Sequence, residues 1–325
     1  MQWANRQKGF TIVELLIVVV VIAILAAITI VSYNGIQNRA KQASVKTDIE
    51  QAIKTLEIAK VTSTNGLYPS TQVNANLKAS SGNTVTYVYY STDNTYCVQS
   101  VNGSIQYFAT STVTTIGEGS CETNGLVGWW RLNGNGDDSS TGGSSPVTLT
   151  GTPTMGQNGQ ANSAYAFTGT QTGIVSGSQS IIPSTMSFSF WVRPISWGST
   201  ATAFIGKRST SNSDGVFIMY LASSASLAID CGGTTNRWST GYVPQLNQWT
   251  HIVVSCTPST ITAYANGALI DSSTKSNTSL SNGTDLGFGH DRGAYYLNGS
   301  MDDIRLYNRA LSLTEAQQLY TNGAQ

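Results

Sequence analysis

The first apolar stretch of the chain is long enough to cross a membrane as a helix. Residues Ile12–Val31 are apolar apart from Glu14 and Thr29, and no charged residue occurs between Leu15 and Asn38. About 20 helical residues span about 30 Å, which is the thickness of a bilayer core. The pattern therefore predicts one membrane-spanning segment at about residues 12–33.

The helical pattern continues beyond that segment in amphipathic form. Apolar residues recur at steps of three and four positions, and charged residues lie mostly between them. The recurring residues are Val45, Ile49, Ala52, Ile53, Leu56 and Ala59. This period predicts a helix that packs on a small sheet. Asn65-Gly66 and the nearby Pro69 indicate its end, so one long helix is expected over residues 10–60.

Alternating segments in residues 61–123 predict a small antiparallel sheet. Strands are expected at 84–90 (TVTYVYY), 95–101 (TYCVQSV) and 104–109 (SIQYFA), and Asn102-Gly103 is a typical two-residue hairpin turn. The long helix and this sheet together make a module of the α+β class.

A second set of about a dozen short strands is expected between residues 125 and 322. Alternation such as Phe188, Phe190 and Val192 places apolar side chains on one face of a sheet. So many strands in about 200 residues predict an all-β jelly-roll sandwich.

Composition narrows the class of protein. The chain has 17 basic and 17 acidic residues, and this balance argues against a nucleic-acid partner. Only 10% of its 325 residues are charged, against about 25% in an average soluble domain. The four cysteines form no CxxC pair and there are only two histidines, which argues against structural zinc. An even number of cysteines outside the cytosol favours disulfides.

The run KGFTIVELLIVVVVIAILAAITIVSYNG at Lys8–Gly35 resembles the amino-terminal motif of the type IV pilin family. The resemblance implies a prepilin leader at residues 1–9, which a prepilin peptidase removes after Gly9. Phe10 would become the methylated amino terminus, and Glu14 would offer its carboxylate to the amino group of a neighbouring subunit. A secretory signal peptide fits less well, because the apolar run exceeds the usual 7–15 residues and follows the Gly-Phe junction. A plain membrane anchor leaves the carboxylate of Glu14 unexplained.

The same resemblance implies where the protein is found and what it contacts. The expected location is the cytoplasmic membrane, crossed once, before assembly, and an extracellular pilus afterwards. Other pilin subunits are the expected partners of the helix. Pilins often close their carboxy-terminal region with one disulfide, which implies a bond between Cys97 and Cys121.

An ordered set of motifs over residues 125–322 resembles the laminin-G-like, concanavalin A-like jelly-roll superfamily. The motifs are Trp130 with Asn133-Gly134, Phe167-x-Gly169, Phe190-Trp191-Val192-Arg193, Trp249-x-His251-x-Val253, Tyr264-x-Asn266-Gly267 and Gly299-x-x-Asp302-Asp303-x-Arg305-x-Tyr307. In this superfamily a calcium ion often ties the first and last strands together, and the matching carboxylates are Asp138 and Asp302. The alternative is that both aspartates cap turns.

Three further features of this domain are open to more than one interpretation. Asp303 is expected to face solvent and to pair with Arg305, and His251 is expected to pack in the core rather than to act in catalysis. Cys231 and Cys256 both follow predicted strands, and they can form a disulfide only if those strands are neighbours.

Aromatic and charged residues in turns suggest a ligand-binding surface. They are Trp197, Trp238, Tyr242, His290, Asp291, Arg292, Tyr295 and Tyr296. Such a set could hold a sugar or a protein epitope, and the alternative is that these are scattered turn residues.

The sequence argues against an enzyme. Jelly-roll glycosidases use two carboxylates beside the scissile bond, whereas Glu315 is the only glutamate after Glu122. The chain also contains no serine-elbow, zinc-protease or phosphate-loop motif. The leading hypothesis is a minor pilin-like subunit that displays an adhesive domain for a glycan or protein of a host or neighbouring cell. The alternative is a structural major pilin or a type II secretion pseudopilin whose jelly roll has no ligand.

Overall fold

The computed structural model describes residues 12–90, 94–111, 115–140, 143, 145–178, 184–208, 215–232, 237–274 and 284–324. The chain divides into two compact units, Met1–Cys121 and Glu122–Gln325. The processing residues Gly9 and Phe10 lie outside the described residues, and so does the side chain of Glu14.

The first unit is built on one long helix, α1 (Ile12–Thr62). Its described large apolar side chains from Ile12 to Ile36 are 48–86% exposed. The hydroxyl of Thr29 donates to the carbonyl of Leu25 at 2.7 Å, so this polar group is satisfied within the helix. The helix is long and apolar enough to cross a membrane.

The carboxy-terminal half of α1 packs on a four-stranded antiparallel sheet of strand order β1-β2-β3-β4. The elements after α1 are α2 (Gln72–Ala75), β1 (Thr84–Tyr90), β2 (Thr95–Asn102), β3 (Ile105–Thr110) and β4 (Gly117–Glu118). Val45, Ile49, Ala52 and Leu56 are buried against this sheet. The predicted stripe thus forms the core of the unit, and Ile53 packs beside it half-buried.

Two polar or covalent links fasten this unit. Asp48 is buried on α1, where it accepts hydrogen bonds from Ser80 N at 3.0 Å and Asn83 Nδ2 at 2.6 Å. Burial raises the pKa of Asp48, but these hydrogen bonds outweigh it and lower the pKa below its usual value. Cys97 and Cys121 form a disulfide with their Cα atoms 5.9 Å apart, as the pilin resemblance implies.

The second unit contains two antiparallel sheets and one helix. Its strands are β5 (Leu126–Trp130), β6 (Val147–Leu149), β7 (Thr152–Thr154), β8 (Ala164–Thr168), β9 (Gly173–Val175), β10 (Met186–Ser196), β11 (Ala201–Arg208), β12 (Gly215–Leu221), β13 (Ser226–Cys231), β14 (Trp238–Ser239), β15 (Thr250–Cys256), β16 (Ile261–Ala265), β17 (Ala268–Ser273), β18 (Leu286–Phe288) and β19 (Asn298–Tyr307). Helix α3 (Leu313–Asn322) closes the chain.

The strand order of the first sheet is β17-β16-β15-β10-β19-β8-β7, and β5 also pairs with β19. The strand order of the second sheet is β14-β13-β12-β11-β18-β9-β6. Apolar side chains from the inner faces of both sheets form one core, which includes Trp130, Phe188, Phe204 and Phe288. The fold class predicted from the sequence, an α+β module followed by an all-β jelly roll, is confirmed.

The disulfide between Cys231 and Cys256 links the two sheets. Cys231 ends β13 of the second sheet and Cys256 ends β15 of the first, with their Cα atoms 6.3 Å apart. The sequence left this pairing open, because it could not place the two strand ends face to face.

A tight turn joins strands β16 and β17 within the motif Tyr264-x-Asn266-Gly267. Its central residues are Asn266 (φ 49°) and Gly267 (φ 72°). Positive φ at both central positions is the requirement of a tight hairpin turn, and Asn-Gly is its preferred sequence.

Candidate functional site

The loop His290–Tyr296 lies on the outer face of the second sheet because two glycines leave room for it. A Cβ atom at Gly206 would lie 2.5 Å from the carbonyl oxygen of His290 and 2.7 Å from the Cα of Asp291. A Cβ atom at Gly287 would lie 2.7 Å from Nε2 of His290. The backbone of Ala203 also donates to the carbonyl of Tyr295 at 2.7 Å. The loop is therefore held directly against strands β11 and β18.

A buried ion pair fixes the start of this loop. Asp291 is fully buried, and its Oδ2 accepts a hydrogen bond from Nε of Arg208 at 3.0 Å and a second from Nη2 of the same guanidinium. Nε of Arg292 lies 3.3 Å from the same oxygen. Among the described residues, Nη1 of Arg208 has no hydrogen-bond partner. Two guanidinium groups thus share one carboxylate.

A groove of about 600 Å³ opens beside the loop on this outer face. Its lining consists of Ser199, Thr200, Ala201, Arg208, Met219, Leu221, Ala222, Ser223, Arg237, Arg292 and Tyr295. The apolar members, such as Met219 and Leu221, belong to a cluster on the outer face of the sheet. Three of the lining residues are arginines, and none of the described lining residues is an aspartate or a glutamate. The arrangement combines an apolar floor with positive charge.

Two other aromatic residues of the loop brace it. The hydroxyl of Tyr296 donates to the carbonyl of Gly293 at 2.6 Å, and the backbone of Gly293 donates to Nδ1 of His290 at 3.4 Å. Burial lowers the pKa of His290, although the charge of Asp291 opposes that shift. His290, Asp291 and Tyr296 thus hold the loop in place, while Arg292 and Tyr295 line the groove.

The structure does not bring Trp197, Trp238 and Tyr242 to the groove. The ring of Trp197 stacks on Tyr220 with centroids 4.2 Å apart. All three predicted residues are half-buried and pack against the core between the sheets. The groove is instead completed by Arg208 and Arg237, which sequence reasoning missed. The sequence offered no periodic signal for Arg208, because the residues of β11 do not alternate and the strand pairing shifts between Ala203 and Ile205.

The two candidate calcium ligands differ in their surroundings. Oδ1 of Asp138 accepts hydrogen bonds from the backbone of Trp129 and of Ser140, each at 3.0 Å. The backbone of Asp138 forms a β-bridge with Trp130 of β5. On its other side, Trp130 pairs with Ile304 of β19. Strand β5 therefore separates Asp138 from the strand of Asp302, by about 10 Å between backbones. These contacts favour the turn-capping interpretation of Asp138.

Asp302 meets the requirement of a cation ligand better. It is fully buried, Oδ2 accepts from the backbone of Gln157 at 3.1 Å, and Oδ1 has no partner among the described residues. Burial, aided by the charge of Asp303, raises the pKa of Asp302 to about 7. No group of three or more His, Cys, Asp or Glu side chains with metal-site geometry occurs in the described part of the chain. Calcium binding by this pair stays a prediction.

Asp303 is buried, so the expectation that it faces solvent is wrong, whereas its pairing with Arg305 is confirmed. Arg305 Nη2 lies 2.9 Å from Asp303 Oδ2, and the indole nitrogen of Trp129 donates to Oδ1 at 2.5 Å. The φ of Asp303 is 47°, at an irregularity in the pairing of β19 with β10. The bulge turns the side chain of Asp303 beneath those of Trp129 and Arg305. The alternating pattern of the sequence does not by itself predict such a bulge.

His251 lies under helix α3 on the outer face of the first sheet. Its Nε2 is 2.8 Å from Oγ of Ser189, and its ring lies near those of Trp191 and Tyr320. Burial, reinforced by the positive charge of Arg305, lowers the pKa of His251 to about 3. A neutral histidine enclosed by aromatic rings is a packing residue.

Comparisons with known proteins identify both parts of the chain. Residues 4–30 match the prokaryotic N-terminal methylation motif, and residues 167–317 match the concanavalin A-like lectin/glucanases superfamily. The binding domain of botulinum neurotoxin DC in complex with rat synaptotagmin II has a TM-score of 0.50 at 16% identity, covering 62% of this chain and 52% of that chain. This likeness concerns the jelly-roll fold alone.

Two curated relatives match the amino-terminal part. The type II secretion system core protein G of Pseudomonas aeruginosa is 36% identical over 81 residues, which cover 24% of this chain and 56% of that protein. The type IV wide pilus major component PilA4 of Thermus thermophilus is 32% identical over 109 residues, which cover 32% of this chain and 82% of that protein. This chain therefore belongs to the type IV pilin family, and it carries a jelly-roll domain behind its pilin module.

Proposed function

We propose that this protein is a minor pilin subunit that displays a ligand-binding jelly roll on a surface filament. The observation that carries the proposal is the open groove with three guanidinium groups, in a unit separate from the pilin module. The exposed apolar half of α1 supports a membrane-anchored precursor that later packs against the helices of other subunits.

The route to the filament follows from the amino-terminal motif. The prepilin peptidase cleaves after Gly9, Phe10 is methylated, and the subunit leaves the cytoplasmic membrane for the extracellular filament. Glu14 binds the amino terminus of a neighbouring subunit, because opposite charges attract strongly among apolar helices. The jelly roll acts by binding a glycan or protein on another cell and performs no catalysis.

A deletion strain tests this function. Filaments should still form without the protein, but they should no longer bind the target surface. Complementation with the full chain should restore binding, whereas a chain that ends at Cys121 and keeps the first unit should not. If filaments disappear in the deletion strain and the truncated chain restores them, the subunit is structural.

A structural role is the second candidate, because PilA4 is a major pilus component and core protein G belongs to a secretion system. A jelly roll of about 200 residues is bulky for every position of a tightly packed fibre, which favours the minor position. The abundance of this chain relative to other subunits in sheared filaments separates the two candidates.

A further inference from the structure

Among the described residues around the groove, positive charges outnumber negative ones. Arg208 and Arg292 share the single carboxylate of Asp291. Arg237 is exposed, with its guanidinium 5.2 Å from the ring centroid of Phe217. A second described carboxylate on this face is Asp230, a buried residue that pairs across the strands with Phe217. Among the described residues, three guanidinium groups thus accompany two carboxylates, and both carboxylates are buried beneath the surface that a ligand would touch.

Arg208 gives this surface a built anionic subsite. Its side chain is only 3% exposed and lies over Phe217, with 4.1 Å from guanidinium carbon to ring centroid. Two nitrogens of this groove-lining side chain bond to Asp291, and the third, Nη1, is buried and finds no acceptor among the described residues. A buried donor without a partner costs free energy, so an incoming oxyanion that reaches it is favoured.

The shape of the groove favours a saccharide over a peptide. The groove lies on the face of the sheet over β11 and β12, between paired strands, so an extended peptide cannot gain the main-chain hydrogen bonds of an added strand. The half-buried ring of Tyr295 offers an apolar face to a sugar ring. The hydroxyl groups of Ser199, Thr200 and Ser223 stand among the lining residues and suit a polyhydroxylated ligand.

We infer that the groove binds an acidic oligosaccharide, whose carboxylate or sulfate group lies among Arg208, Arg237 and Arg292. This inference rests on the proposed function, since it names the ligand class of the displayed domain. The oxyanion forms charge-assisted hydrogen bonds with the guanidinium groups. The sugar ring packs on Tyr295 and the apolar floor.

The test uses the full chain, purified in detergent because of its apolar helix, on an array of oligosaccharides. The probes are neutral, carboxylated and sulfated oligosaccharides of matched length. The wild-type chain should bind acidic probes, and binding should weaken as salt is added. Arg237→Gln and Arg292→Gln should each weaken it by about tenfold or more. Arg237→Lys should keep most of the binding, because it keeps the charge.

Arg193→Gln is the matched control. It makes the same charge change on β10 of the other sheet, where Nε of Arg193 donates to the carbonyl of Asn247. It should leave binding unchanged. The carboxylated and sulfated probes distinguish the two sources of negative charge.

The outcomes separate this inference from the proposed function. Equal binding of neutral and acidic probes, or unchanged binding by both Arg→Gln variants, overturns the acidic-saccharide inference. If filaments of those variants nevertheless adhere as wild-type filaments do, the adhesive function stands with another ligand or site. If the array is blank and filaments without the protein adhere normally, both fail.

Discussion

The ion pair of Arg208 with Asp291 joins residues that lie 83 positions apart in the chain. Both side chains are almost fully buried, at 3% and 0% exposure. Removing one partner of such a pair leaves a charge in a poorly solvated place, which costs far more than the pair contributes. The pair therefore orders the groove, because it fastens the loop that supplies Arg292 and Tyr295.

A double-mutant cycle tests this role. Arg208→Met and Asp291→Leu should each lower the free energy of unfolding of the jelly roll by about 3 kcal/mol. The double variant should cost clearly less than the sum, since it leaves neither member of the buried pair without the other, and Arg292, which also faces Asp291, is partly exposed to solvent. Urea unfolding followed by tryptophan fluorescence measures all three. Arg237→Met, at an exposed position, serves as the control and should change little; additive costs would contradict the prediction.

His251 should make the jelly roll acid-sensitive. Its pKa is about 3 in the folded state and about 6.5 in the unfolded chain. Between these values the unfolded chain binds the proton and the folded chain does not. Lowering the pH through this window therefore favours unfolding, by about 1.4 kcal/mol per pH unit from this group. Above about pH 6.5 the histidine is neutral in both the folded and the unfolded chain, so it no longer makes the free energy of unfolding depend on pH.

The variant His251→Gln should lose less stability on acidification than the wild type. Urea midpoints of both proteins, measured between about pH 3 and about pH 7, give the comparison. The other histidine, His290, is half-buried, so His290→Gln should have a smaller effect. Parallel curves for wild type and His251→Gln would exclude a role for this residue.

At the scale of helices and strands, the jelly roll is held together chiefly where the ends of strands from the two sheets meet. The disulfide between Cys231 and Cys256 ties β13 to β15, and so joins the second sheet to the first. Helix α3 covers the outer face of the first sheet, where Ser312 and Glu315 form a capping box at its start. The groove lies on the opposite sheet, whose outer face carries no helix from the described residues of this unit.

Replacing Cys231 and Cys256 together with serine should lower the free energy of unfolding of the jelly roll by about 3 kcal/mol, because the bond closes a loop of about 25 residues in the unfolded chain. The double replacement of Cys97 and Cys121 is the matched control, with a separation of 24 residues instead of 25. It should affect the first unit alone. Guanidinium unfolding followed by tryptophan fluorescence reports the second unit, since every tryptophan except Trp3 lies there. Equal losses from both pairs would argue against independent units.

At the scale of the whole molecule, the proposed function assigns assembly to one unit and recognition to the other. The first presents an exposed apolar helix and the second presents the groove. Each has its own core and its own disulfide. A ligand-binding variant should therefore leave assembly intact, and an assembly variant should leave binding intact.

Glu14→Gln should block assembly without blocking processing. The neutral amide removes the charge that attracts a neighbouring amino terminus, so the subunit should stay in the membrane fraction. Immunoblots of sheared filaments and membranes measure the distribution, and amino-terminal sequencing checks cleavage after Gly9. Glu50→Gln makes the same change at an exposed position of α1 and should assemble normally. Incorporation of Glu14→Gln at the wild-type level would refute the assigned role.

The sequence by itself determined the elements of this protein. The apolar run that begins at Ile12, the stripe from Val45 to Leu56 and the alternation of Phe188, Phe190 and Val192 specify a membrane-length helix, its buried face and a sandwich strand. These patterns suffice because helix and strand periods depend on near neighbours. The sequence also indicated the loop His290–Tyr296 as a candidate binding loop, because functional residues concentrate in loops. Ligand binding by this loop stays a prediction.

Only the tertiary structure decided which of these residues act together. Trp197 and Tyr295 look alike in the sequence, as aromatic residues near strand ends, yet one packs on the core and the other lines the groove. Arg208 joins Asp291 because β11 lies next to β18, and Asp303 is buried because a bulge turns it inward. These outcomes depend on strand order, register and the space left by Gly206, which are set by packing between segments far apart in the chain.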